Sequence, residues 1–128
     1  MAKGKLVEQA PVLLVRDVVE SAAYWRDCLG FKERLWGDPP GFAICWRDAC
    51  FVMLSQAPED HEIVPNWKIV DKMWNAYFWV DDARAIYAEF QASGARIDYS
   101  LYEAPYGVLE FGIQDLDGHD IAFGQDLQ

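Results

Sequence analysis

The first patterned stretch is Pro11-Val-Leu-Leu-Val15, an apolar run of the length expected for a buried strand. Asp17 follows where a helix N-cap belongs. Val18, Ala22, Trp25 and Leu29 then recur at helical spacing, giving that helix one face to lay on a sheet. Gly30 supplies the stop. Phe31 to Trp36 reads as the next strand, and Gly37-Asp-Pro-Pro-Gly41 as a turn. Phe42 to Trp46 and Cys50 to Leu54 form a hairpin across Arg47-Asp48-Ala49. The order is β, α, β, β, β.

The order then repeats. Ala76 to Val80 is a strand, and Asp81-Asp82 caps a helix whose apolar face is Ala83, Ile86, Tyr87 and Phe90. Gly94 closes it. Ala95 to Tyr99, Val108 to Ile113 and Ile121 to Phe123 are strands, the last entered through the turn Asp115-Leu-Asp-Gly118. Val15-Arg-Asp17 answers Val80-Asp-Asp82, and Gly30 answers Gly94. The expected architecture is α+β: one domain over 1–128, with a first βαβββ module at about 8–56, a linker at about 57–74 and a second module at about 75–126. Each module would curl a mixed sheet over its helix, and the two open sheet faces would share a concave cavity. Strand alternation sorts the residues of that second module. Asn75, Tyr77 and Trp79 face the cavity, as do Val108, Glu110 and Gly112, while Ala76, Phe78, Leu109, Phe111 and Ile113 face the helix.

Composition narrows the function. Twenty-one acidic residues against eleven basic ones give a net charge of −10, which disfavours nucleic-acid binding because phosphates need a basic face. No apolar run, Val12 to Val15 included, is long enough to span a bilayer, and the N-terminal residues lack a signal-peptide core, so a cytoplasmic location is expected. Cys28, Cys45 and Cys50 have no metal or disulfide spacing and read as reduced, buried thiols. Aromatic residues reach 15%, with six tryptophans. That is more than one small core needs, and the surplus suits an aromatic-lined pocket.

Several stretches resemble the glyoxalase, bleomycin-resistance and extradiol-dioxygenase group, the vicinal-oxygen-chelate superfamily. They are Val12-Leu-Leu-Val-Arg-Asp-Val18 with Ala23-Tyr-Trp-Arg-Asp-Cys-Leu-Gly-Phe31 behind it, Tyr106-Gly-Val-Leu-Glu-Phe111, and Asp115-Leu-Asp-Gly-His119 with Ile121-Ala-Phe-Gly124. Metal-dependent members of that group draw His or Glu ligands from the first and last strand of each module. Carried over, those positions are Ala10 and Leu54 in the first module, and Asn75 and Ala122 in the second. Three cannot ligate, and a lone amide is a poor anchor for a divalent ion. A slip of one residue brings in Gln9, Met53, Ala76 or Ile121, which are no better. No metal and no other cofactor is therefore expected. His61 in the linker and His119 in the last turn have no ligand partners at suitable spacing.

The resemblance in acidity and missing ligands favours the metal-free bleomycin-resistance branch, whose members are homodimers that sequester a bulky cationic drug in aromatic grooves. It implies a homodimer here and a small-molecule ligand, cationic and aromatic in character. Trp46, Tyr77 and Trp79 are the candidate stacking surfaces, with Trp36 and Tyr102 at the rim and Asn75 as a polar contact; for each, core packing is the ordinary alternative. Glu110, an acid in an apolar strand, is either a structural hydrogen-bond acceptor or the carboxylate that meets the ligand. A second function class stays open: a metal-independent isomerase, lyase or hydrolase with Glu110 as general base and Asn75 or Tyr77 as its electrophilic partner. A third is an interaction module whose tryptophans form one flat patch.

Overall fold

The computed structural model describes residues 2–128 and has eight strands and two helices in the order read from the sequence. The first module comprises β1 (Val12–Val15), α1 (Val18–Asp27), β2 (Lys32–Gly37), β3 (Pro40–Arg47) and β4 (Cys50–Gln56). The second comprises β5 (Ala76–Trp79), α2 (Ala83–Ala92), β6 (Arg96–Ala104), β7 (Val108–Gln114) and β8 (Asp120–Asp126). Each module keeps its own mixed four-stranded sheet, ordered β1-β4-β3-β2 and β5-β8-β7-β6. The outer strand β1 runs parallel to β4, as β5 does to β8.

Local chemistry explains both helix starts. Asp17 Oδ1 accepts the backbone N–H of Val19 and Glu20 at 3.0 and 3.1 Å, and Asp82 Oδ1 accepts that of Ala85 at 3.0 Å. Both helices are followed by a glycine with positive φ, Gly30 and Gly94.

The two modules meet through their helix-covered sides. Leu13, Val15, Trp25, Phe31, Val52 and Leu54 of the first share one core with Phe78, Phe90, Phe111 and Phe123 of the second. Phe123 stacks between Phe78 and Phe111, with ring centroids 5.5 and 5.4 Å away, while Trp25 meets Phe31 and Phe78 edge-on. Fully burying such a ring stabilises the fold by about 2–3 kcal/mol. Polar ties cross it as well. Tyr24 donates its hydroxyl to Gln114 O at 2.7 Å and accepts from Arg96 N at 3.0 Å, and its burial pushes the phenol up to about 12. Arg47 grips Glu89 with two nitrogens at 2.7 and 2.9 Å.

Two details differ from the sequence reading. Strand β6 continues through Ser100 to Ala104, past the end at Tyr99 that the sequence predicts, because Tyr102, Glu103 and Ala104 pair with Glu110, Leu109 and Val108. Two register shifts in that pairing interrupt the alternation that would have betrayed it. Strand β8 extends to Asp126 for the same reason, as Gln125 and Asp126 pair with Leu109 and Val108. His119 is buried, its Nε2 lying 2.7 Å from Leu14 O, so the last turn is anchored to β1. The segment between the modules carries one 3-10 turn, Asn66–Lys68, tied down by Trp67 Nε1 donating to Gly118 O at 2.6 Å. Among the described residues no helix is long and apolar enough to cross a membrane.

Candidate functional site

The outward face of the second sheet carries the only dense polar-aromatic cluster seen among the described residues. Its centre is Glu110 on β7, only 1% exposed. Glu110 Oε1 accepts the hydroxyls of Tyr77 and Tyr106, both at 2.6 Å, and Oε2 accepts that of Tyr99 at 2.7 Å. The Tyr99 oxygen in turn accepts the indole N–H of Trp74 at 3.0 Å. Strand alternation puts Tyr77 and Glu110 on this face, and two glycines let the rings lie against it. A Cβ on Gly112 would overlap the Tyr99 ring, and one on Gly124 would overlap the Tyr77 hydroxyl. The register shifts on either side of Tyr99 turn Tyr99 and Tyr102 toward the face.

Electrostatically the cluster is an anion clothed in neutral donors. No Lys or Arg pairs with Glu110 among the described residues. The phenols of Tyr77, Tyr99 and Tyr106 are pushed well above the usual tyrosine range, chiefly by loss of water and then by their hydrogen bonds to Glu110. They therefore remain protonated donors, and three of the roughly four acceptor directions of the carboxylate are taken.

Above the carboxylate, Trp74, Tyr77, Trp79 and Tyr106 line an open hollow of about 430 Å³. Trp74 meets the Tyr77 ring at 4.8 Å and 75°, and Trp79 meets it at 4.9 Å and 52°, so the rings form an angular wall. Trp79 leaves 61% of its surface in solvent.

Of the residues singled out from sequence, Glu110, Tyr77 and Trp79 come together here. Tyr102 sits beside them, across the ladder from Glu110 and 5.9 Å from the Tyr99 ring. Trp46 and Trp36 do not join. Both lie on the first sheet, Trp46 paired with Phe51 and Trp36 beside Phe42 with Arg34 over its ring. Asn75 is also elsewhere engaged, its Oδ1 accepting Asn66 N at 2.9 Å. Tyr99, Tyr106 and Trp74 were missed as site residues. Their signal was Gly112 and Gly124 in a strand pair that otherwise faces inward with large apolar residues. The aromatic lining thus belongs to the second sheet alone. The cleft that both modules line lies at their seam instead, about 360 Å³ between Phe31, Arg47 and Cys50 on one side and Phe78, Ile86 and Phe90 on the other.

The strands that carry metal ligands in metal-dependent members of the resembled family do not fit a metal in this chain. Leu54 points into the helix-side core, so the outward residue of β4 at that level is Met53, which pairs with Val12. Ala122 pairs with Tyr77, and Ala10 has no donor side chain. Among the described residues no three His, Cys, Asp or Glu side chains converge.

The family model described as Glyoxalase/Bleomycin resistance protein/Dioxygenase superfamily matches residues 9–123. No curated protein matches significantly in sequence. Among solved structures, the bleomycin-binding protein of Streptomyces verticillus complexed with copper(II)-bleomycin is 25% identical, with a TM-score of 0.72 over 94% of this chain and 97% of its own. A glyoxalase-related enzyme from Clostridium phytofermentans superposes with a TM-score of 0.76 at 16% identity, covering 98% and 99%. TioX from Micromonospora sp. ML1 gives 0.72 at 20% identity, covering 94% and 98%.

Proposed function

Since the chain belongs to the Glyoxalase/Bleomycin resistance protein/Dioxygenase superfamily, we propose that it is a metal-independent binding protein that holds a small organic molecule, chemically unchanged, on the aromatic face of its second sheet. The observation that carries this reading is the buried Glu110 under its three tyrosine hydroxyls, roofed by Trp74 and Trp79. Angled aromatic walls give a planar ligand stacking area, and a fixed polar floor gives it orientation. The fold likeness to a protein crystallised with copper(II)-bleomycin supports sequestration of a drug-like molecule as the biological use.

Use of Glu110 as a general base is the weaker reading. Its oxygens already accept three hydroxyls, that of Tyr77 among them, and Asn75 is engaged with Asn66 N rather than with it. A homodimer accompanies the binding proposal. Val12, Leu14 and Trp36 are exposed on the first sheet's outer face beside the half-buried Ile44 and Met53, an apolar surface that a second copy would cover.

The test is a tryptophan-fluorescence titration with copper(II)-bleomycin and with planar cationic dyes, followed by mass analysis of the recovered ligand. Saturable quenching with the ligand returned intact is expected. A chemically altered ligand would overturn the reading, as would stoichiometric zinc, nickel, manganese or iron in protein grown with those metals. Sedimentation should give twice the chain mass, reduced to one chain by Ile44→Lys; a wild-type monomer at all concentrations would remove the dimer.

A further inference from the structure

Resting on the binding reading above, we propose that the hollow over Glu110 selects an alkylated ammonium group, a quaternary or fully alkylated amine, in preference to neutral groups and to primary ammonium or guanidinium.

Three observations converge. The first is charge. Glu110 is buried and every hydrogen-bond partner it has is neutral, so its negative charge is unbalanced by any cation of the described residues. A buried anion without a counter-charge leaves a favourable potential for a cation in the adjoining space. That space is the aromatic hollow.

The second is hydrogen-bond capacity, which decides between kinds of cation. A primary ammonium or a guanidinium must place three to five N–H donors when it leaves water. Tyr77, Tyr99 and Tyr106 take three of the roughly four acceptor directions of the Glu110 carboxylate, Trp74 and Trp79 bring indole donors, and the acceptors left to the hollow are the lone pairs of the Tyr77 and Tyr106 hydroxyls and that last carboxylate direction. A primary ammonium or guanidinium has more N–H groups than these few acceptors can serve, and each one that loses water without a replacement costs on the order of 1–3 kcal/mol. An alkylated ammonium has no such requirement. It presents a positive charge spread over methyl or methylene groups, and it asks only for low-polarity, electron-rich contact.

The third is the wall. The rings of Trp74, Tyr77 and Trp79 meet at 75° and 52°, so a rounded cationic head can touch more than one of them. Ring faces attract cations, and indole does so best. The hydrogen bonds add to this: phenols that donate to a carboxylate are polarised toward greater electron density on the ring. Tyr77 and Tyr106 therefore transmit the charge of Glu110 to the surface that the ligand touches, although the carboxylate itself is covered. The exposed Trp79 marks the side from which the head enters, and the rest of the hollow leaves room for a larger attached ligand.

The experiment uses the full chain at constant ionic strength, with the fluorescence of its tryptophans as readout. Choline is compared with its uncharged isostere 3,3-dimethylbutan-1-ol and with ethanolamine, which carries the same hydroxyl on a primary ammonium. Choline should bind at least about tenfold more tightly than either. Glu110→Gln should reduce the preference for choline over the alcohol to within about threefold. Trp79→Ala, a rim substitution that leaves the carboxylate cluster intact, should weaken choline about tenfold, which keeps the test decisive if Glu110→Gln does not fold. Equal binding of choline and the alcohol would overturn the proposal while leaving small-molecule binding in place. Binding of copper(II)-bleomycin or a planar dye with no response to choline would do the same. Choline binding undiminished in Trp79→Ala would place the cation elsewhere and overturn it too.

Discussion

Laid ladder on ladder, the two sheets show the same pairing filled with different chemistry. Val12 pairs with Met53 and Ile44 pairs with Met53 in the first; Tyr77 pairs with Ala122 and Gly112 pairs with Ala122 in the second. By the same ladders Leu14 corresponds to Trp79, Ser55 to Gly124, Phe42 to Glu110, and Trp36 to Tyr102. The first sheet thus offers an apolar outer face of aliphatic and aromatic groups. The second has glycines in place of Ile44 and Ser55 and a carboxylate in place of Phe42, and its tyrosines fold down over them. The comparison teaches how a duplicated scaffold can divide its work. Both sheets need their inner residues for the common core, whereas the outer positions are free to diverge, one toward a surface for covering and one toward a built polar floor.

The contrast can be broken most forcefully at Glu110. Glu110→Ala leaves the hydroxyls of Tyr77 and Tyr99 short of an acceptor in a dry setting and should cost about 3 kcal/mol in chemical denaturation. The corresponding Phe42→Ala removes a half-buried ring, strands no polar group, and should cost less. Equal losses would mean that the polar floor contributes no more than packing. Next comes Gly112→Val, which makes the second sheet resemble the first at Ile44. The added side chain displaces the Tyr99 ring, and a loss of about 2 kcal/mol with a change in Trp74 emission is expected. Unchanged emission would show that Tyr99 does not need the glycine.

The hairpin turns sharpen the comparison through pH. Asp48, in the β3–β4 turn, is exposed, whereas Asp115, before β8, is buried and its carboxyl is pushed up to about 6, chiefly by loss of water. The unfolded chain has the ordinary value near 3.8. Over that interval the folded state binds more protons than the unfolded state. The contribution of Asp115 to stability is therefore fully present below about pH 4 and is lost as pH rises through about 6. Asp115→Asn keeps an oxygen for the N–H groups of Asp117 and His119 and should raise stability near neutral pH by about 1–2 kcal/mol, flattening the slope between those values. Asp48→Asn should leave the slope alone. A smaller effect is expected at the seam. Arg47→Ala removes the paired contact with Glu89, half in solvent, and should cost about 0.5–1 kcal/mol, read as a shift in denaturation midpoint that high salt diminishes.

Much of this molecule was legible before its structure. The caps Asp17 and Asp82, the glycine stops, the apolar spacing of both helices and the duplicated strand order are local signals, carried by residues within a few positions of one another. The outward direction of Tyr77, Trp79 and Glu110 followed from the two-residue period of a strand. Legibility ended where partners are distant in sequence. Tyr99 reaches Glu110 through the register shifts on either side of it and Tyr106 from the turn after β6, and the two-residue period of a regular strand announces neither. Trp46 and Tyr77 both alternate outward, yet alternation cannot say which sheets face each other.

The sequence by itself determined the elements, their order, the faces of the strands and the lack of ligating side chains at the resembled family's metal positions, since each depends on residue type and short-range spacing. The tertiary structure alone decided that the modules join through Trp25, Phe31 and Phe78, and that three tyrosines converge on one buried carboxylate. Those outcomes depend on how distant surfaces compete to leave water and on which strand pairs with which, and no short stretch of chain encodes either.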